Sequence, residues 1–398
     1  MRILQFAPRV CWPLNTGAKL RNYHLARVLS ERAQVSLLAF TDDPAVTLPS
    51  ENFYRQIITV GRDQAYSFRK VLRGALGRTP LPLLNYTTNE MKQMLARVLS
   101  ENDFDFVQVE SIHLMNYLPT IRAARSRPLV ICDWHNIESE LMRQYSQRES
   151  NVARRAYARK TARLVNECEQ RALVEFDAHL TVSESDAERL RQIERDARIF
   201  VIENGVDTDY YTNEEIAAGP KNRVVFVGSM DYHANIDGAI DFARNVWPIV
   251  RKLKPEIVFT IVGRDPAPAV RALSEIEGVE VTGTVNDVRP YYREAIAAVV
   301  PLNVGGGSRL KILEAMAARV PVVSTTRGAE GLDVRNGKNI LIADTNEELR
   351  EAIVSVAENE ILRGQIATAG RALVAERYDW SRLGTSLVGI YEELLKTS

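Results

Sequence analysis

From Arg2 to Ala343 the chain repeats one local theme: a short apolar run, a turn rich in Gly, Pro or polar residues, then a helical pattern. The runs are Arg2–Phe6, Gln34–Phe40, Ile57–Val60, Phe104–Val109, Pro128–Cys132, Asp177–Val182, Ile199–Ile202, Val224–Val227, Ile257–Gly263, Val279–Gly283, Ala297–Leu302, Val320–Val323 and Asn339–Ala343. Strands that alternate with helices predict parallel sheets in an α/β architecture. A chain of 398 residues has room for about two to three domains of ordinary size.

Composition narrows the class of partner. Lys plus Arg equals Asp plus Glu at 51 each, so the global charge argues for neither nucleic acid nor a generally acidic partner. Cys11, Cys132 and Cys168 lie far apart without a CxxC pair. They read as packing residues in a reducing compartment, with no structural zinc. The opening MRILQFAPRVCW is broken by Pro8 and Arg9, and no apolar run approaches the ~18 residues of a membrane span. A cytoplasmic protein is expected.

The chemistry concentrates in Val304–Leu332, VGGGSRLKILEAMAARVPVVSTTRGAEGL. Gly305, Gly306 and Gly307 let a bound group approach the main chain, and Ser308 leads into a helix whose first N–H groups have no partner within it. Such an end attracts anions, and Arg309 and Lys311 add positive charge beside it. Glu314 follows Leu310 at i+4 on the same side of the helix, where a carboxylate suits sugar hydroxyls behind a phosphate. The combination points to a nucleoside diphosphate; a glycine-rich turn with a solvated Arg and Lys is the other reading.

Two further stretches carry chemistry. Asp133-Trp134-His135-Asn136-Ile137-Glu138 follows a strand at the edge where open α/β sheets bind ligands. Within the helical pattern from Asn151 to Phe176, Arg154, Arg155, Arg159, Lys160 and Arg163 form an all-basic segment. It can rest on anionic lipid or steer a phosphorylated acceptor, or serve as a solvated helix face.

GGGSRLKILEAMAARVPVVST followed by GAEGL resembles the donor-nucleotide motif of retaining glycosyltransferases of family 4, in particular the sugar transferases of exopolysaccharide and exosortase systems. The resemblance extends to Gly17 and Arg21 at the first helix start, the DxHNxE segment, the Asn204-Gly205-Val206-Asp207 turn, Gly228-Ser229, and Gly283-Thr284-Val285. It implies a GT-B fold: two Rossmann-like domains with parallel sheets facing an interdomain cleft, and a C-terminal helix crossing back to the first. The implied division is 1–211, 212–378 and 379–398, with the polar Thr212–Asn222 as linker.

By this resemblance a UDP- or GDP-sugar is held mainly by the second domain, through Gly228, Ser229, Gly283, Val285, Gly305, Gly306, Gly307, Ser308, Leu310 and Glu314, with Gly17 contributing from the first. Arg21, Asp133, Asn136 and Glu138 lie on the acceptor side, facing a glycan or lipid-linked acceptor. His135 lies near the transferring sugar, with Arg309 and Lys311 stabilising the departing diphosphate. Two departures stand out. The family's first glutamate falls on Gly306, and the Arg and Lys that commonly follow the Gly at 228 are missing, with Ser229 and Met230 next and no Lys before Lys252. Arg309 and Lys311 are the expected replacements. No cluster of metal ligands is visible from spacing, so neither metal nor cofactor is expected. A nucleotide-sugar 2-epimerase on the same fold and a non-catalytic nucleotide-sugar-binding partner of a polysaccharide assembly complex are the alternatives. Peripheral association with the inner face of a membrane would suit a lipid-linked acceptor.

Overall fold

The computed structural model describes residues 1–42, 52–62, 74, 77, 79–212, 221–303 and 309–397. The chain forms two compact units, Met1–Glu203 with Leu383–Ser398, and Asn204–Arg382.

In the first unit, β1 (Arg2–Ala7), β2 (Gln34–Thr41), β3 (Gln56–Gly61), β4 (Phe106–Glu110), β5 (Leu129–Trp134), β6 (Ala178–Thr181) and β7 (Ile199–Val201) form one sheet. Their order is β3-β2-β1-β4-β5-β6-β7, with every pair parallel. The order reverses direction between β1 and β4, as in a Rossmann sheet, and this switch point is where such sheets bind ligands. Helices cover parallel sheets on both faces, so central strands are buried throughout. β4 is buried at all five residues and β1 at all but Arg2. Gln5, Gln108 and Glu110 are thus polar groups inside the sheet.

The last helix, Trp380–Lys396, packs on this unit from Leu383 onward. Leu387, Tyr391 and Leu394 recur at helical spacing and are fully buried, with the Tyr391 ring 4.7 Å from Phe106. A Cβ on Gly384 would fall 1.9 Å from Val28 Cγ1 on the helix Gly17–Ser30, so this approach needs a residue without one. The return of the C-terminal helix, expected from the resemblance, is present.

In the second unit, β8 (Arg223–Val227), β9 (Val258–Val262), β10 (Val279–Gly283), β11 (Ala295–Val300), β12 (Val322–Ser324) and β13 (Leu341–Ile342) are ordered β10-β9-β8-β11-β12-β13, again all parallel. The Rossmann order recurs, with its switch point between β8 and β11. The Asn204–Asp207 turn belongs to this unit because Val206 pairs with Asp379 and Thr208 N donates to Asp379 Oδ2 at 3.2 Å. Most of the expected linker, residues 213–220, lies outside the described residues.

The three cysteines are buried and form no disulfide. No helix among the described residues is long and apolar enough to cross a membrane.

Candidate active site

At the switch point of the second unit, Gly228 directly follows β8, and β11 ends at Val300. Val304, Gly305, Gly306, Gly307 and Ser308 lie outside the described residues. Arg309 stands at the N-cap of the helix Leu310–Ala317, without a side-chain cap bond. The buried Leu310 anchors the first turn in the core.

Lys311 crosses to Gly228. Its Nζ donates to Asn235 Oδ1 at 2.5 Å and lies 4.9 Å over the Phe226 ring, and Asn235 Nδ2 in turn donates to Ser229 O at 2.8 Å. Burial, and then the Arg309 charge, lower the Lys311 pKa to about 7. A desolvated ammonium whose hydrogen-bond partner is a neutral amide is poised for an anion.

Arg309 is placed differently from the sequence expectation. Its Nε donates to Glu330 O at 3.1 Å, and Nη2 lies 3.4 Å from Glu330 Oε2. The basic group that joins Lys311 at this loop is instead Arg264, just past β9, whose Nε donates to Ser229 Oγ at 2.8 Å. Arg264 escaped the sequence reading because it follows the neighbouring strand. The signal was present, since Gly263-Arg264 after β9 repeats the strand-Gly exit of β8. A Cβ on Gly263 would lie 1.7 Å from Gly228 O, so the two loops close on one another only through glycine.

Glu314 is half-buried and lies near the Tyr211 and Tyr292 hydroxyls, which favour its charged form, while Tyr292 OH donates to Lys311 O at 3.5 Å. Burial pushes its pKa up against those hydroxyls and the Lys311 charge. Both tyrosines were missed, as neither lies near Glu314 in sequence. Gly283 closes β10 at φ +72, a left-handed conformation suited to glycine. With Thr282, Thr284 and Arg271 it borders a hollow of about 360 Å³. Val285 follows, partly exposed.

At the switch point of the first unit, Gly17 opens the helix Gly17–Ser30, capped by the Thr16 side chain. One turn on, Arg21 grips Asp133 with two parallel bonds, Nε to Oδ2 and Nη2 to Oδ1, both 2.8 Å. Its Nη1 donates to Ile202 O at 2.7 Å. Arg21 and Asp133 are therefore buried support for the site and not open acceptor contacts. Burial pushes the Asp133 carboxyl up, but Arg21 and then His135 outweigh it and leave it below its usual range. Asp133 completes β5 instead of following it, because Arg21 neutralises it there.

His135 lies just beyond β5, its side chain 14% exposed. Its Nε2 is 3.3 Å from Glu110 Oε2 and 3.6 Å from Asp133 Oδ2. Glu110 was missed by the sequence reading, and it pairs in register with Asp133 across β4 and β5. Burial raises its pKa, with the His135 hydrogen bond opposing. Glu110, Asp133 and His135 offer ligand atoms within 4.8 Å of one another, a grouping that spacing along the chain did not reveal. Their oxygens are largely spoken for: both of Asp133 by Arg21, and Glu110 Oε1 by the Gln5 and Gln108 amides at 2.7 Å each. Asn136 is partly buried beside His135, and Glu138 begins the helix Glu138–Arg148. Burial, and then Glu169, raise the Glu138 pKa to about 7.

Comparison with known proteins gives matches in both halves of the chain. The family description "Glycosyltransferase Family 4" matches residues 16–210, and "Glycosyl transferases group 1" matches residues 221–359. A phosphatidyl-myo-inositol mannosyltransferase from Mycobacterium leprae is 29% identical over 201 residues, 48% of this chain and 52% of the relative. The match thus spans about half of that relative's length. Among solved structures, sucrose-phosphate synthase from Thermosynechococcus elongatus superposes with a TM-score of 0.72 at 15% identity, covering 100% of both chains. Anabaena HepE in complex with UDP-glucose gives 0.65 at 17%, again over 100% of both chains. With two Rossmann-like units and matches in both halves, the chain belongs to the family 4 glycosyltransferases and has the GT-B fold.

Proposed function

We propose that this protein transfers a sugar, with retention of anomeric configuration, from a UDP- or GDP-sugar to a glycan or lipid-linked acceptor in the synthesis of a polysaccharide or glycoconjugate. The observation that carries the reading is the Lys311 ammonium, buried against Asn235 and next to Gly228 at a Rossmann switch point. Similarity to a chain solved with UDP-glucose supports a nucleotide-sugar donor.

Lys311 and Arg264 would take the place of the missing basic pair after Gly228, with the N-terminal N–H groups of the helix Leu310–Ala317. Arg309 would act from the rim, sharing Glu330. As the sugar bond breaks, charge grows on the departing diphosphate. Preorganised donors therefore stabilise the transition state more than the ground state. These groups supply the charge that a divalent cation would otherwise bring, so transfer is expected without metal. Glu314 would face the ribose, Gly283 and Val285 the base through the main chain, and His135 the transferring sugar. Asn136 and Glu138 would lie toward the acceptor.

The exposed Arg154, Arg159 and Arg163 fit association with an anionic membrane surface on the cytoplasmic side, where a lipid-linked acceptor would lie. The test is release of UDP or GDP from labelled nucleotide sugars in EDTA, with and without a membrane lipid extract. Acceptor-dependent release with label in the lipid fraction is expected. Turnover that needs no acceptor and changes the sugar at C2 would favour an epimerase.

A further inference from the structure

We propose that Glu110 is the positioning residue that fixes the tautomer of His135, and that two buried tyrosine hydroxyls impose this setting through a polarised chain of hydrogen bonds. The inference deepens the sugar-transfer reading, since it concerns the atom His135 offers to the sugar, but its test does not depend on transfer.

The chain has two arms, both in the first unit. Tyr54 OH donates to Gln5 Oε1 at 2.6 Å, and Tyr391 OH, on the C-terminal helix, donates to Gln108 Oε1. An amide whose oxygen is held on one side must present its nitrogen on the other. Gln5 Nε2 and Gln108 Nε2 accordingly both donate to Glu110 Oε1, each at 2.7 Å. That oxygen is supplied with donors from two strands, and the remaining oxygen, Oε2, faces His135 Nε2 at 3.3 Å.

Asn22 completes the arrangement. With its amide oriented by its neighbours, its nitrogen lies 3.0 Å from Glu110 Oε2, 3.0 Å from Ala18 O and 3.1 Å from His135 Nε2. Its two protons face three neighbours; Ala18 O and an ionised Glu110 Oε2 can only accept, and we assign both protons to them. His135 Nε2 must then carry its own proton and direct it at Glu110. The neutral ring keeps Nδ1 as an acceptor for a sugar hydroxyl. His135 touches substrate in this scheme, and Glu110 acts through it.

The chain makes an unusual demand on Glu110→Gln. Gln5 and Gln108 both need an acceptor, so the new carbonyl oxygen must face them and the new amide nitrogen must face His135. A donor now meets Nε2, and the ring has to move its proton to Nδ1. Tyr391→Phe is milder: it keeps the ring on Phe106 and removes the hydroxyl that orients Gln108.

The experiment is long-range proton–nitrogen correlation of the imidazole rings in the full ¹⁵N-labelled chain at pH 8.5. The His135 signal, one of 5 histidines, is assigned by its loss in His135→Asn. The parent is expected to show the Nε2–H tautomer, Glu110→Gln the Nδ1–H tautomer, and Tyr391→Phe a mixture. Nδ1–H in the parent, or Nε2–H retained in Glu110→Gln, would overturn the proposal. Should Glu110→Gln fail to fold, an unmixed Nε2–H signal in Tyr391→Phe overturns it instead. In parallel, Glu110→Gln should lower turnover at saturating donor about tenfold while nucleoside diphosphate affinity stays within twofold. A parent without transfer activity would count against the sugar-transfer reading and leave the tautomer result standing.

Discussion

Arg21 and Asp133 form a bidentate ion pair inside the first unit, with side chains 1% and 0% exposed. The pair ties the helix after β1 to the end of β5, and Arg21 also reaches the chain after β7 through Ile202 O. Removing one partner leaves a buried charge alone, so Arg21→Met should cost about 3–5 kcal/mol of stability. Arg21→Lys keeps the charge but loses the fork and should recover only part. Chemical denaturation of the two variants checks this; equal midpoints in Arg21→Met and the parent would contradict it.

Lys311 gives a pH dependence. Its folded-state pKa is lowered from 10.5 to about 7, so above pH 7 the empty protein carries a neutral amine where the unfolded chain carries an ammonium. The unfolded chain then binds more protons between these values, and the Lys311 contribution to stability rises with pH across that window. Diphosphate binding has the opposite sign, because it needs the ammonium: affinity should fall up to about tenfold per unit above pH 7 as binding must take up a proton. Calorimetric titrations from pH 6 to 9 should show this fall in the parent and its absence in Lys311→Met.

Glu314 separates support from recognition. Glu314→Ala removes the carboxylate beside the Tyr211 and Tyr292 hydroxyls and should cost about 1–3 kcal/mol of stability. Glu314→Gln keeps an acceptor oxygen and should fold near the parent stability. If the carboxylate receives ribose hydroxyls, Glu314→Gln should still lose about tenfold in nucleotide affinity, or roughly 1.4 kcal/mol. Parent-like affinity in the folded Gln variant would remove Glu314 from the ribose.

Much of the fold could be read from the chain because the central parallel strands are buried on both faces and write short continuous apolar runs. β13, at the edge of its sheet, is confined to Leu341–Ile342 of the expected run Asn339–Ala343. The site was legible where its residues follow strand ends in sequence, as with Gly228, His135 and Lys311. It was illegible where the fold brings distant ends together: Arg264 beside Ser229, Tyr211 and Tyr292 on Glu314. Glu110 left a signal that was passed over. In FVQVE, Gln108 and Glu110 interrupt an otherwise apolar strand two residues apart, which places them on one face of a buried sheet. Polar groups there must satisfy each other.

His179 is buried in β6, accepting from Trp134 Nε1 at 3.1 Å through Nδ1. Burial lowers its pKa from 6.5 to about 4. The folded protein refuses a proton that the unfolded chain binds, so stability is full above pH 6.5 and is lost as pH falls toward 4. The loss is about 3 kcal/mol at the lower end. Denaturation midpoints at pH 7 and 4.5 should differ less in His179→Gln than in the parent; an unchanged difference would contradict the assignment.

The basic face of the helix Val152–Glu175 predicts lipid dependence. Arg154→Glu with Arg159→Glu should abolish co-sedimentation with anionic vesicles, each lost basic group weakening it by about 1 kcal/mol in low salt. Co-sedimentation of the parent that ignores anionic lipid content would remove the membrane from the account.

In the proposed function a nucleoside diphosphate sits at Gly228, held by Lys311 and Arg264 in place of a metal ion. Calorimetric titration of the parent, Lys311→Ala and Arg264→Ala with UDP and GDP at pH 6.5 in EDTA tests it directly. Saturable one-to-one binding of at least one nucleotide by the parent is expected, weakened about tenfold or more in each variant. Absence of binding to the parent, or equal affinity in all three proteins, would contradict it.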